Sequence, residues 1–447
     1  MQFFLNWQSD GFVACAALVL YGLVLLAVVL VHFRRCSVLA KLIPGALLWH
    51  LVIWAFISFW MLPYYAEKTG ADNYQYHHNG LMVAQFIRSG DWGGISWGLS
   101  TKAIPILTGF LYAPFGGDIY GILFFSAVLG FCGCVYFCMA FSLWFTPAQL
   151  RNYSLIILFL PSFATWTSFF GKDSWIALGL GLAAYGFSSV LKGHSSTGLL
   201  HFLAGVAIVT VIRPHIAVTL AASMAFAYLW GLTQGRHLSI LAKLQMIVIL
   251  PVILGLLASV AGGFLGLSDY SADNMQEYAR TQGKANAIGG SVVETQAAPG
   301  VAGAVLGVPS GIVRVLFEPF PWEINNFNSG LAAGENLFIL WFVLSRAGRL
   351  RRLFHGIVRK PYLLFSIVFG CLLLIMFSFL PNLGLLSRER AQLLPFVFAP
   401  LVAAETVRKR AARHVRLPLT GAARISTSAY RTYINANEPQ TSRHHGD

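Results

Sequence analysis

Apolar residues in this chain come in long, nearly unbroken runs, without the strict alternation of a half-buried strand or the one-sided stripe of a surface helix. Several runs approach the ~20 apolar residues with which a helix crosses a bilayer. Eleven candidate spans can be drawn: 12–32, 46–63, 118–142, 153–170, 174–191, 198–212, 216–232, 243–266, 331–346, 362–380 and 391–407. The pattern predicts an all-α polytopic membrane protein with about eleven transmembrane helices in a single membrane domain over 1–407. A basic tail of disordered character follows over 408–447. The first run is long, charged at its far end and not followed by a small-residue cleavage site, so it reads as a span rather than a removable leader.

Polar residues gather mainly in two long loops, 64–117 and 267–330. Within the first, "ADNYQYHHNGLMVAQFIRSGDWGG" predicts a short amphipathic helix from Tyr74 lying on the membrane surface. A second apolar piece, "AIPILTGFLYAPFG" (103–116), dips into the interface with Pro105 and Pro114 as interruptions. The second loop opens with a polar, Gly/Ala-rich and flexible stretch (268–310). It then turns aromatic in "GIVRVLFEPFPWEINNFNSGLAAGEN".

Composition agrees: 57% of residues are hydrophobic and 11% charged, against about 25% charged in ordinary soluble domains. If the first inter-span segment, 32–41, is cytoplasmic, alternation assigns every later loop. Cytoplasmic segments then hold 21 of the 31 Lys and Arg, but of the 17 acidic residues only Glu405, Glu438 and Asp447. That asymmetry is the one the positive-inside rule requires. It places the N-terminus outside, the C-terminus in the cytoplasm and both long loops on the extracytoplasmic face. The net charge of +14 is therefore a topology signal with no nucleic-acid partner implied, and the tail suits anionic lipid headgroups.

Four cations at extracytoplasmic helix ends run against this rule: Lys172, Arg213 in "VIRPHIA", and Arg388 and Arg390 in "LGLLSRERAQLLPF". Singly, each is a snorkelling side chain. Together they would form a basic pocket at headgroup depth, suited to the phosphate or diphosphate of a lipid carrier. Beside Lys172, Asp173 reads as the structural cap of the next helix, with Gly171 breaking the one before. In the second loop Arg314 and Glu318, spaced i,i+4, pair on a helix face. With Trp322 and Glu323 they supply the aromatic face and carboxylates of a sugar site, and Tyr76 and His77 of the first loop are further candidate sugar contacts. Asp72 alone reads as a helix N-cap. His77 and the adjacent His78 point about 100° apart on a helix and make a poor metal site. The six cysteines lie in or beside spans as small packing residues. No metal or other cofactor is implied.

An acidic residue early in the first loop, amphipathic helices after it and "IPILTGFLYAPFGGDIYG" entering the next span resemble the GT-C superfamily of membrane glycosyltransferases. "RERAQLLPF" resembles the Arg-rich, Pro-ended segment late in such bacterial chains. "LPSFATWTSFFGKDSW", "RPH" and "EPFPWE" are similar to stretches of bacterial membrane proteins from polysaccharide gene clusters. The resemblance covers about 50–400 in order and topology. It implies an inverting transfer from a polyprenyl phosphate or diphosphate donor on the outer face of the bacterial inner membrane. Asp72 would be general base, and Lys172, Arg213, Arg388 and Arg390 would neutralise the leaving phosphate. Partners would be membrane lipid, the lipid-linked glycan and polysaccharide assembly proteins. The chain departs from the family in lacking an Asp-x-Asp pair in the first loop and a soluble C-terminal domain. O-antigen-type polymerases share the many spans and exterior arginines, so transferase and polymerase remain open. A flippase for a lipid-linked glycan and a non-catalytic component of an assembly complex are the alternatives.

Overall fold

The computed structural model describes residues 9–63, 72–193, 195–233, 301–324, 327–357, 360–378 and 383–404. Among these the chain is helical, 88% by residue, with no strand. The helices are α1 (Ser9–Phe33), α2 (Ser37–Phe56, continued by a π-helical turn Ile57–Met61), α3 (Asp72–Ser89), α4 (Ala103–Tyr112), α5 (Ile119–Ser142), α6 (Pro147–Phe159), α7 (Pro161–Ser168), α8 (Lys172–Leu191), α9 (Ser195–Ile212), α10 (Pro214–Thr233), α11 (Val301–Phe317), α12 (Phe327–Ile357), α13 (Pro361–Phe377) and α14 (Leu383–Ala403). Short 3-10 turns lie at Trp92–Gly94, Ser100–Lys102 and Pro321–Glu323. Residues Met1–Glu405 form one compact unit. The expected span 243–266 and the basic tail lie outside the described residues.

Four stretches, Gly11–Phe33, Ser37–Met61, Ile119–Ser142 and Lys172–Leu191, are long and apolar enough to cross a membrane. Their burial separates them into two roles. The apolar window of α5 is 89% buried, whereas that of α1 is 22% buried and turns Phe12, Leu20, Val24, Val28 and Val31 outward. An outward face of large apolar side chains suits lipid or a partner surface and not water.

Prolines set several boundaries. The expected continuous span 153–170 is two helices, because Pro161 offers no N–H and forces Leu160 to an extended ψ of 121°. The same X-Pro device separates α9 from α10 at Arg213 and opens α13 after Lys360. Pro105, by contrast, does not interrupt the 103–112 helix: it sits in the first turn, where a missing N–H leaves no bond unmade. Residues 301–310, expected in a flexible stretch, belong to α11.

α8 packs most extensively against α9 and α5. The approach to α9 is close enough that a Cβ on Gly205 would lie 2.3 Å from the Ala183 backbone nitrogen, and one on Gly186 2.2 Å from that of Phe202. Small residues allow such backbone contact between helices. Side-chain contacts then define two ends of the assembly. At one, Lys192 after α8 and Lys360 before α13 lie over the rings of Trp144 and Phe145 after α5, and Gln149 of α6 donates to the Ala403 carbonyl of α14. At the other, the starts of α3, α8 and α14 meet the end of α9.

The seam between α8 and α9 carries a direct test. Gly205→Val should overpack it and lower stability by about 1–3 kcal/mol, read as a lower midpoint of thermal unfolding in detergent, whereas Gly348→Ala, with open space around its Cβ position inside α12, should hold or raise the midpoint.

Candidate functional site

The second of these ends holds the densest group of charges. Asp173, in the first turn of α8, is 3% exposed, and each of its carboxylate oxygens is taken by a different arginine. Arg213 Nη2 donates to Oδ1 at 2.9 Å, and Arg388 Nε donates to Oδ2. Arg213 also donates through Nη1 to Glu389, whose Oε2 accepts from Gln392 Nε2 at 2.8 Å as well. Arg388 reaches outward through Nη1 to Asp72 Oδ2 at 3.3 Å. A chain of alternating charge thus runs Glu389–Arg213–Asp173–Arg388–Asp72. Its inner members are buried, while the Asp72 side chain is 58% exposed.

Lys172 stands next to this chain without joining it. Its ammonium donates to Ser100 Oγ at 3.1 Å and Thr101 Oγ1 at 2.8 Å, and it makes no ion pair among the described residues. Lys172, Arg213 and Arg388 therefore face Asp72, Asp173 and Glu389, and the cluster is formally neutral. The sequence-based expectation of a basic pocket is corrected on this point: its arginines are matched by carboxylates that burial obliges them to pair with.

Local structure explains the placement. Asp173 is not the cap of α8. That position belongs to Gly171, at φ 156° and ψ −152°, which provides no side-chain cap. This backbone region is open to glycine alone. A Cβ there would also lie 3.6 Å from Arg388 Nη2 and 3.7 Å from the Tyr76 ring. Asp173, two residues on, lies at the positive end of the helix dipole with its side chain turned to the arginines. Arg213 is held at the junction of α9 and α10, where Pro214 keeps it out of helical geometry, and its own carbonyl accepts from Ile216 and Ala217.

Of the other expected site residues, Tyr76 is brought into the cluster. It is 4% exposed and meets Phe170 edge-on at 6.4 Å. Burial, and after it the Asp72 carboxylate, pushes its phenol up to about 12. His77 points away: its Nδ1 lies 2.8 Å from Tyr112 Oη on α4, and burial lowers its pKa. Arg390 is also not part of the group. It is 1% exposed and donates through Nη1 to the carbonyls of Leu316 and Glu318 at 3.4 and 3.3 Å. There it serves the carbonyls at the C-terminus of α11, where a cation is favourable. One turn of α14 thus serves two regions, with Arg388 and Glu389 on one side and Arg390 on the other. In the second region Arg314 pairs with Glu318 at 3.0 Å. Trp322, 77% exposed, stacks on Phe320 at 4.8 Å and 8°, and Glu323 accepts from the Phe320 N–H at 2.8 Å.

Residues that sequence reasoning passed over are Glu389, Gln392, Ser100 and Thr101, together with the central part played by Asp173. The acids carried a readable signal, since a carboxylate next to a cation at the end of an apolar run implies a buried partner. "GLSTKAIP" carries none. Among the described residues no three or more His, Cys, Asp or Glu side chains gather as metal ligands.

Two outcomes follow. Asp173→Asn, which leaves two buried guanidinium groups short of a partner, should destabilise by about 3–5 kcal/mol, whereas Asp72→Asn at the exposed rim should cost no more than about 1 kcal/mol. Chemical denaturation of the two variants in detergent distinguishes them. For His77, a folded pKa below the ordinary value of about 6.5 means the unfolded chain binds the proton more tightly. Stability from this group is complete above that pH and falls as pH drops below it. His77→Gln should flatten that part of the stability–pH profile.

Compared with protein-family models, curated proteins and solved structures, the chain matches none of them.

Proposed function

We propose that the chain transfers a glycosyl unit from a polyprenyl phosphate or diphosphate carrier during assembly of bacterial surface polysaccharide. The reaction would run on the extracytoplasmic face of the inner membrane, in a protein of about eleven spans with its C-terminus in the cytoplasm. The positive-inside distribution supports that orientation, and with it the outward placement of the cluster. One observation carries the reading: an exposed carboxylate, Asp72, pairs with Arg388 at the edge of a cluster to which Lys172 and Arg213 bring further cations at the ends of apolar helices.

In this reading Asp72 accepts the proton of an acceptor hydroxyl as its oxygen attacks the anomeric carbon with inversion. The bond from that carbon to the phosphate oxygen breaks, and the electron pair leaves with the phosphate. Cations held at the rim stabilise the charge developing there. Arg388 is 18% exposed and within reach of Asp72, so it is placed to do this and to hold the base in position. Arg213, inside the protein, acts as a positioning residue through Asp173. The stacked Phe320 and Trp322 offer a flat apolar face on which a glycan ring can lie, with Glu323, Arg314 and Glu318 nearby to bind hydroxyls.

Asp72→Asn should lower transfer by about 10²–10⁴-fold, the range for loss of a general base, and Arg388→Ala should lower it comparably. Membrane insertion of the Asp72 variant should be normal. The measurement is transfer from a polyprenyl-linked sugar by protein in nanodiscs, with surface glycan in the corresponding strains as a second readout. Wild-type glycan in both strains would overturn the proposal.

A further inference from the structure

We infer that Lys172, Ser100 and Thr101 together form a phosphoryl-binding cradle beside Arg388, and that the buried Arg213 supports it without contacting the anion itself. The inference rests on the transfer reading only for the source of the phosphate, a lipid carrier. The cradle itself rests on how the donors are distributed.

Arg213 and Arg388 each lie between two carboxylates. An anion approaching Arg213 would have to displace a buried carboxylate from its counter-charge, and one approaching Arg388 would compete with Asp173 and the exposed Asp72. Lys172 differs in having neutral oxygens as its partners. An ammonium carries three N–H donors, and two of them go to Ser100 and Thr101. A hydroxyl that accepts from lysine still has its own O–H to give. The third ammonium N–H and the two O–H groups therefore remain as three donors around a single positive charge, enough for the oxygens of one phosphoryl group. α8 begins at this lysine without a side-chain cap, so the positive end of its dipole adds to the same field.

The backbone shows that this arrangement is imposed. Ser100 has φ 60° and is the non-glycine residue with positive φ among those described. It is also 4% exposed. A serine in a conformation that glycine adopts freely is accounted for by what its hydroxyl does, namely accept from Lys172. Sequence alone contains no trace of this, because the 3-10 turn Ser100–Lys102 and the start of α8 are seventy-odd residues apart.

The test uses full-length protein in phosphatidylcholine nanodiscs, titrated with farnesyl diphosphate and, separately, with inorganic pyrophosphate. Lys172→Met should weaken binding by about tenfold or more, the equivalent of one hydrogen bond to a charged group, and Lys172→Arg should restore part of it. Ser100→Gly is the discriminating variant. It should weaken binding while the unfolding midpoint holds or rises, because glycine relieves the backbone. A midpoint that falls together with binding would assign Ser100 a structural role and overturn the cradle. So would wild-type affinity in both Lys172→Met and a Ser100→Gly/Thr101→Val double variant, or no binding of either probe to the wild type. In those cases loss of transfer in Asp72→Asn would still leave the transfer reading standing. Conversely, Lys172-dependent binding of pyrophosphate as tight as that of farnesyl diphosphate would keep the cradle and remove the lipid carrier.

Discussion

Asp173 gives one carboxylate oxygen to Arg213 and the other to Arg388, so α8, α14 and the α9–α10 junction meet at that carboxylate. A charge 3% exposed is tolerable only when it is paired and hydrogen-bonded. The position of each helix end is thereby tied to the others: moving α14 or the α9–α10 junction would leave an ion buried without its partner. Glu389 and Gln392 extend the same obligation along α14. What surrounds the site is therefore a rigid frame built by electrostatics, within a body otherwise held by apolar packing.

That frame shapes the chemistry available at its edge. Because the inner arginines are committed to carboxylates, the cluster carries no net charge, and its reactivity depends on which members remain accessible. Exposure grows outward, from Asp173 through Arg388 to Asp72. Lys172 sits beside this gradient with only hydroxyl partners. In the proposed reading, a carboxylate open to solvent and a cation hydrogen-bonded to hydroxyls, held beside a buried ion pair, would serve the two halves of a displacement reaction. The stacked Phe320 and Trp322 follow α11, whose last carbonyls Arg390 holds from another side of the same turn of α14.

Conventional backbone devices put these groups in place. Proline breaks the chain where Arg213 must leave the helix. Glycine lets α8 and α9 approach closely enough to fix their ends in register, and lets residue 171 turn beneath Arg388 and Tyr76. In each case a residue without chemistry of its own places one that has it.

The amino-acid sequence by itself determined that the chain is helical and apolar enough to cross a membrane, since run length and composition act locally and require no tertiary contact. It also singled out Lys172, Arg213 and Arg388, because charge at the end of an apolar helix is expensive wherever it occurs, while Asp72 by itself read as an N-cap and entered only through the family resemblance. It could not show how those charges are matched. Asp173 looked like a cap, since capping is a local reading, and its actual partners are 40 and 215 residues away. Arg390 looked like the twin of Arg388, yet the turn of a helix between neighbouring residues sends it to the carbonyls of α11. His77 was separated from Tyr76 in the same way. The continuous run at 153–170 concealed the break at Pro161, and Ser100 and Thr101 gave no signal at all. Only the tertiary structure decided these points, because pairing of buried charge is a long-range condition, settled by which helix ends the packing brings together.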